Sequence, residues 1–101
     1  MVKVFISQPM NGKTKDEILA EREEAMLSIK SFYPNDEVEV LDTYFKDYNG
    51  KPLEYIGKSI MILAQADVAY FCKGWDKARG CKIEHLCAKE YGVKTLVSTM
   101  S

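Results

Sequence analysis

Asp67-Val68-Ala69-Tyr70-Phe71, followed by Gly74-Trp75-Asp76-Lys77-Ala78-Arg79-Gly80, decides how this chain folds. An apolar run, a glycine-bounded loop and a helical pattern read as strand, turn and helix start, the repeating unit of a parallel sheet. The loop exposes backbone N–H groups and the helix start favours anions, so the junction has the makings of a ligand site. From Cys81 to Tyr91, a turn of about 100° per residue puts Ile83, Cys87, Tyr91, Ala88 and Cys81 on one broad apolar face. Glu84 falls inside that sector, while Lys82, His85 and Lys89 gather on the opposite side. A carboxylate aimed at the packed side of a helix needs a compensating partner or a chemical use.

The same punctuation orders the rest of the chain. Val2 to Ile6 reads as a first strand, Ser7 to Lys13 as a loop, and Thr14 to Asp16 as the capped, acidic start of a helix that runs to about Phe32. Its apolar stripe is Ile18, Leu19, Ala25, Met26, Ile29 and Phe32, with Arg22 in the middle, where a structural ion pair is expected. Pro34-Asn35-Asp36 breaks the helix, and Val38 to Leu41 is a second strand. A polar, aromatic loop from Asp42 to Pro52, with Asn49-Gly50 as its turn, leads to a helix over Leu53–Gln65 packing through Ile56, Ile60, Leu63 and Ala64. Asp67 to Cys72 is strand three, Gly92 closes the third helix, and Lys94 to Ser98 is strand four. Strands alternating with helices predict a small three-layer α/β sandwich on a roughly four-stranded parallel sheet with right-handed crossovers. Its ligand crevice belongs at the carboxyl ends of strands one and three.

A length of 101 residues suits one domain, 1–101, with a single core. A net charge of −1, with no dominant basic cluster, argues against a nucleic-acid footprint. The longest apolar run, Ile60 to Ala64, is too short to span a bilayer, so no membrane partner is expected. Met1 to Ile6 lacks the long apolar core of a signal peptide, which predicts a cytoplasmic protein. Cys72, Cys81 and Cys87 are odd in number and form no CxxC pair, the pattern of reduced thiols. Grouping Cys81, His85 and Cys87 around a metal fails, because Cys87 points away from His85 and a fourth ligand is missing. No metal or redox cofactor is implied.

Two loops can carry chemistry. Ser7-Gln8-Pro9-Met10-Asn11-Gly12-Lys13 offers a hydroxyl, an amide and backbone N–H groups that can cradle a phosphate or sugar, with Lys13 as a point charge; it also reads as a plain strand-to-helix turn. The GxxxxGK[ST] pattern is absent. After strand three, Trp75 suits either base stacking or core packing. Arg79 suits either an anion or a pair with Glu84, and Gly80 either close approach to a ligand or a helix start. Glu84 is the leading candidate: a helix dipole holds a carboxylate ionised for attack on an electrophilic sugar carbon. Its bland alternative is a carboxylate satisfying first-turn amides. Asp67 reads as an assisting acid or as a polar residue ending the preceding helix. His85 points about 100° from Glu84 and is a poor acid–base partner for the same pocket.

Val4-Phe5-Ile6-Ser7-Gln8-Pro9-Met10-Asn11-Gly12, Ala66-Asp67-Val68-Ala69-Tyr70-Phe71, Gly74-Trp75, Ala78-Arg79-Gly80-Cys81, Glu84-His85 and Tyr91-Gly92 resemble a small family of uncharacterised bacterial and phage proteins. That family in turn is similar to the nucleoside 2-deoxyribosyltransferase-like superfamily. The resemblance implies a Rossmann-like fold, a homo-oligomer in which a neighbour completes the pocket, and cleavage of a nucleoside or nucleotide N-glycosidic bond. It implies a glycosyl-enzyme on Glu84, resolved by water or another base. It also implies a covering role for Ser7 to Gly12 and an acidic role for Asp67. Transferases of the superfamily carry an Asp six residues before the nucleophile, where this chain has Ala78. Hydrolysis is the expected outcome, since a small open pocket admits water. The competing expectation is a nucleotide-binding module without catalysis, and a third is an oligomeric structural protein built on a Glu84–Arg79 pair.

Overall fold

The computed structural model describes residues 1–42 and 50–98. The expected turn at Asn49-Gly50 falls partly outside them. Within this range four parallel strands, β1 (Val2–Ser7), β2 (Val38–Val40), β3 (Val68–Phe71) and β4 (Lys94–Val97), stand in the order β2-β1-β3-β4. Helices α1 (Lys15–Phe32), α2 (Pro52–Leu63) and α3 (Arg79–Glu90) connect them, and a short 3₁₀ turn spans Trp75–Lys77. The fold is the small Rossmann-like sandwich that the alternating pattern predicts. Element ends differ from the sequence reading by one or two residues, the usual scatter where helices and strands fray. Among the described residues no helix is long and apolar enough to cross a membrane.

Strand alternation divides the core in two. Val4 and Ile6 of β1 join Val68 and Tyr70 of β3 under Ala25 and Ile29 of α1. The intervening residues Phe5, Ala69 and Phe71 face the other way, onto Leu63 of α2 and Ala88 of α3. Ser7 has the parity of Phe5, so the last residue of β1 looks toward α2 and α3. The connections leave the parallel neighbours β1 and β3 in opposite directions, to β2 on one side and β4 on the other; their register pairs Ser7 with Phe71, and this switch point opens a crevice at the carboxyl edge.

The helices are narrower in their buried stripes than expected. Thr14 caps α1 as the sequence predicts, and Glu17 closes a reciprocal box with it. Only Ile18, Ala25 and Ile29 of α1 are buried, and Leu19, Met26 and Phe32 remain exposed, because one helix resting on a sheet touches it along a single line. Arg22, in that line, donates from Nη2 to the Leu41 carbonyl at 3.4 Å and lies near Asp42. On α2, Leu63 is buried and Ala64 is exposed. On α3, Ile83 and Tyr91 are exposed, and the buried residues are Cys81, Glu84 and Ala88. The inward face is thus rotated by roughly 50° from the predicted one, toward Cys81 and Ala88. An aromatic cluster accounts for the rotation. His85 stacks on Trp75 with 4.1 Å between ring centroids and meets the edge of Phe71 at 4.9 Å, so it leaves the lysine side where the wheel put it.

Candidate active site

A groove of about 1040 Å³ occupies the carboxyl edge at the β1/β3 crossover. Its wall comes from the β1–α1 loop, from α2, and from the first turn of α3. Glu84 lies at its base, 7% exposed, and is the only acid among the described lining residues. Ser7 Oγ donates to Glu84 Oε1 at 2.6 Å. Ser59, from the inner side of α2, also donates to this carboxylate. Three elements therefore converge on one side chain: the end of β1, the middle of α2 and the second turn of α3.

Burial pushes the Glu84 carboxyl above its ordinary value of 4.5, and the Ser7 and Ser59 hydroxyls only partly offset this. The expected stabilisation by the helix dipole does not prevail. Glu84 is the sixth residue of α3, and the dipole's influence fades after the first turn. The bland alternative also fails for Glu84, since its partners are hydroxyls rather than first-turn amides. Cys81, one turn before it, is buried within reach of Ser7, and its thiol is pushed up to about 11 by that burial. Cys72, on the α1 side, is pushed up to about 12 for the same reason. Both stay protonated at neutral pH and are poor nucleophiles. Among the described residues no three His, Cys, Asp or Glu side chains converge as a metal site requires.

The other predicted residues divide sharply. Gln8, Pro9, Met10, Arg79 and Gly80 line the groove. Gln8 is buried and donates from Nε2 to the Ile18 carbonyl at 3.0 Å, tying the loop to α1. Its Oε1 is buried with no hydrogen-bond partner among the described residues. Pro9 faces Gly74, where a positive φ of 85° suits glycine and an added Cβ would come within 3.6 Å of the proline ring. Gly12, at φ +77°, serves the turn in which Lys13 N–H donates to the Met10 carbonyl, and it does not line the groove. Lys13 is turned away as well, paired with Glu21 at 2.7 Å.

Trp75 stacks on His85 and does not line the groove, so of its two readings packing prevails. Arg79 is exposed at the start of α3 and makes no ion pair among the described residues; the expected Glu84–Arg79 pair is absent there. Gly80 answers to neither of its predicted roles alone. A Cβ there would meet Ile56 Cδ1 at 3.0 Å, so the glycine lets α3 start close against α2. Asp67 is not brought to the site. It accepts from the Lys3 N–H at 2.8 Å at the amino edge of the sheet, the length of β3 away from Glu84.

Sequence reasoning missed Ser59, Tyr55 and Lys77, which also line the groove. Ser59 had a signal: it sits between Ile56 and Leu63 at helical spacing, a polar residue inside an apolar stripe. Tyr55 and Lys77 had none.

The family model for a domain of unknown function, DUF4406, matches residues 2–97. The chain belongs to the DUF4406 family. Its match covers every strand and helix described above, including all three elements that meet at Glu84. No curated protein matches this DUF4406 chain.

Proposed function

We propose that this DUF4406 protein cleaves the N-glycosidic bond of a nucleoside or nucleotide, with Glu84 as the nucleophile. One observation carries the reading: a carboxylate buried at the base of an open groove and held by two hydroxyls. Ser7 and Ser59 fix the carboxylate's orientation, which favours attack from one direction. The new bond forms between a Glu84 oxygen and the anomeric carbon as the carbon–nitrogen bond breaks, and its electron pair leaves with the base, which takes a proton from water. Water then adds to the anomeric carbon, the ester bond breaks, and the Glu84 carboxylate is regenerated. Another base in place of water gives transfer. The groove's openness favours water. Because burial disfavours the ionised form, turnover rises with pH as Glu84 loses its proton.

The rim supports a phosphorylated substrate. Lys77 and Arg79 line the groove and are exposed, and Ala78 gives α3 no capping side chain, which leaves first-turn N–H groups for an anion. The lack of a second lining acid favours an alternative reading, a nucleotide-binding module without turnover. Incubation with a panel of nucleosides, deoxynucleosides and their monophosphates, with released base read by chromatography, separates the two. Base release by the native chain and not by Glu84→Ala is the expected result. Ligand-induced thermal stabilisation without release supports the binding module, and neither effect overturns both readings.

A further inference from the structure

The helices are shared unequally between the two faces of the sheet. Leu63 of α2 and Ala88 of α3 pack on one face, and α1 packs on the other. A helix about 10 Å across covers about two strands spaced about 4.8 Å apart, so α1 does not reach across to β4. A cavity of about 210 Å³ remains there, between the flank of α1 and the carboxyl ends of β3 and β4. Tyr70 gives it a polar floor. Its ring is held in the core with Ala25 and Ile29, and only 5% of the residue is exposed. Its hydroxyl lines the cavity side and forms no hydrogen bond among the described residues. Phenylalanine would fill the same apolar position without burying an unanswered polar group, so the hydroxyl points to an occupant.

Charge on the walls defines the occupant's chemistry. On the α1 wall, Glu21 is already paired with Lys13 at 2.7 Å, whereas Glu24 makes no ion pair among the described residues. On the strand-end wall, Lys73 is exposed and makes none either. We propose that this cavity is a second ligand site, separate from the Glu84 groove, for a small α-amino acid. The ligand's ammonium faces Glu24, its carboxylate faces Lys73, and the Tyr70 hydroxyl donates to that carboxylate. A lone anion would meet Glu21 and Glu24, and a lone amine would leave Lys73 unanswered. About 150 Å³ already accommodates benzene, so the space suits an amino acid with a short side chain and is too small for a nucleotide. Cys72 also lines the cavity, and burial keeps its thiol protonated, so the site binds without offering a nucleophile. Lys73 adjoins Gly74 on the groove wall, so an occupant here holds the loop that both sites share.

The site is independent of the proposed reaction, and its test reads binding alone. Isothermal titration calorimetry of the full chain uses glycine, alanine and serine as probes, with acetate and methylamine as the two halves of the ligand. At least one of the amino acids should bind, and each half should bind at least about tenfold more weakly, because it leaves one wall charge unanswered. Tyr70→Phe keeps the ring and removes the hydroxyl, and it should weaken binding about tenfold with an unchanged far-ultraviolet circular dichroism spectrum. Glu24→Gln and Lys73→Gln, both at exposed positions, should weaken it by a similar factor without touching the core. Glu84→Gln, on the opposite face of the sheet, should bind as the native chain does. No binding of any of the three amino acids, acetate or methylamine binding as tightly as they do, native affinity in Tyr70→Phe or in either charge variant, or lost binding in Glu84→Gln each overturns the proposal.

Discussion

Strand β1 holds a carboxylate at each of its ends. At the amino end, Asp67 accepts the Lys3 N–H at 2.8 Å in an exposed position. At the carboxyl end, Glu84 accepts the Ser7 hydroxyl at 2.6 Å in a buried one. The hydrogen bonds are similar, and what separates the two groups is water. An exposed carboxylate keeps its hydration, and its bond to Lys3 ties the start of β3 to β1. A buried carboxylate gives hydration up, and its ionised form stays costly even with two hydroxyl donors. Burial makes one of these acids a candidate for chemistry and leaves the other a fastener.

The comparison breaks most visibly in activity. Glu84→Ala should lower base release by at least about a thousandfold, as removal of a nucleophile does, while Asp67→Ala leaves the rate unchanged. Equal losses from the two variants, read by chromatography, would erase the distinction. Next in size is Ser7→Ala. Deleting a donor from a buried charged group costs about 1.5–3 kcal/mol, measurable by urea unfolding at neutral pH. The cost should shrink in acid, where a protonated Glu84 needs the donor less.

A third test concerns pH and its sign. Glu84 holds its proton more tightly folded than unfolded, so the folded state binds more protons as pH rises past the ordinary value of 4.5. Its contribution to stability is therefore greatest in acid and falls until the folded-state pKa is passed. The melting temperature of Glu84→Gln should gain on that of the native chain over this interval, and a constant difference would refute the linkage. The smallest effect belongs to Asp67→Ala. Water can replace the lost acceptor at Lys3, so its stability loss at neutral pH should fall well below that of Ser7→Ala.

The fold was legible in the sequence because short apolar strands, a capped first helix and glycine stops repeat at regular intervals. Glu84 was legible for a related reason, since a helical wheel reveals an acid among apolar residues without knowledge of the partner. Its environment was not. How far Glu84 is buried, and that Ser59 reaches it, depend on α2 and α3 packing on the same sheet face. The misplacement of Asp67 is instructive in a different way. A residue immediately before a strand of a parallel sheet lies at the amino edge, whereas the crevice opens at the carboxyl edge. Topology alone separates Asp67 from the site. For Trp75, composition left stacking on a ligand and packing on a neighbour equally open, and only the position of His85 decides between them.

That stack gives the protein a built-in optical gauge. Trp75 is the only tryptophan of the chain, adjacent to Gly74 on the groove wall and layered on His85, whose proton affinity is lowered by burial and by Lys89. Emission from a single indole there reports both the titration of His85 below its ordinary value of 6.5 and any shift of the loop when the groove fills, without a label.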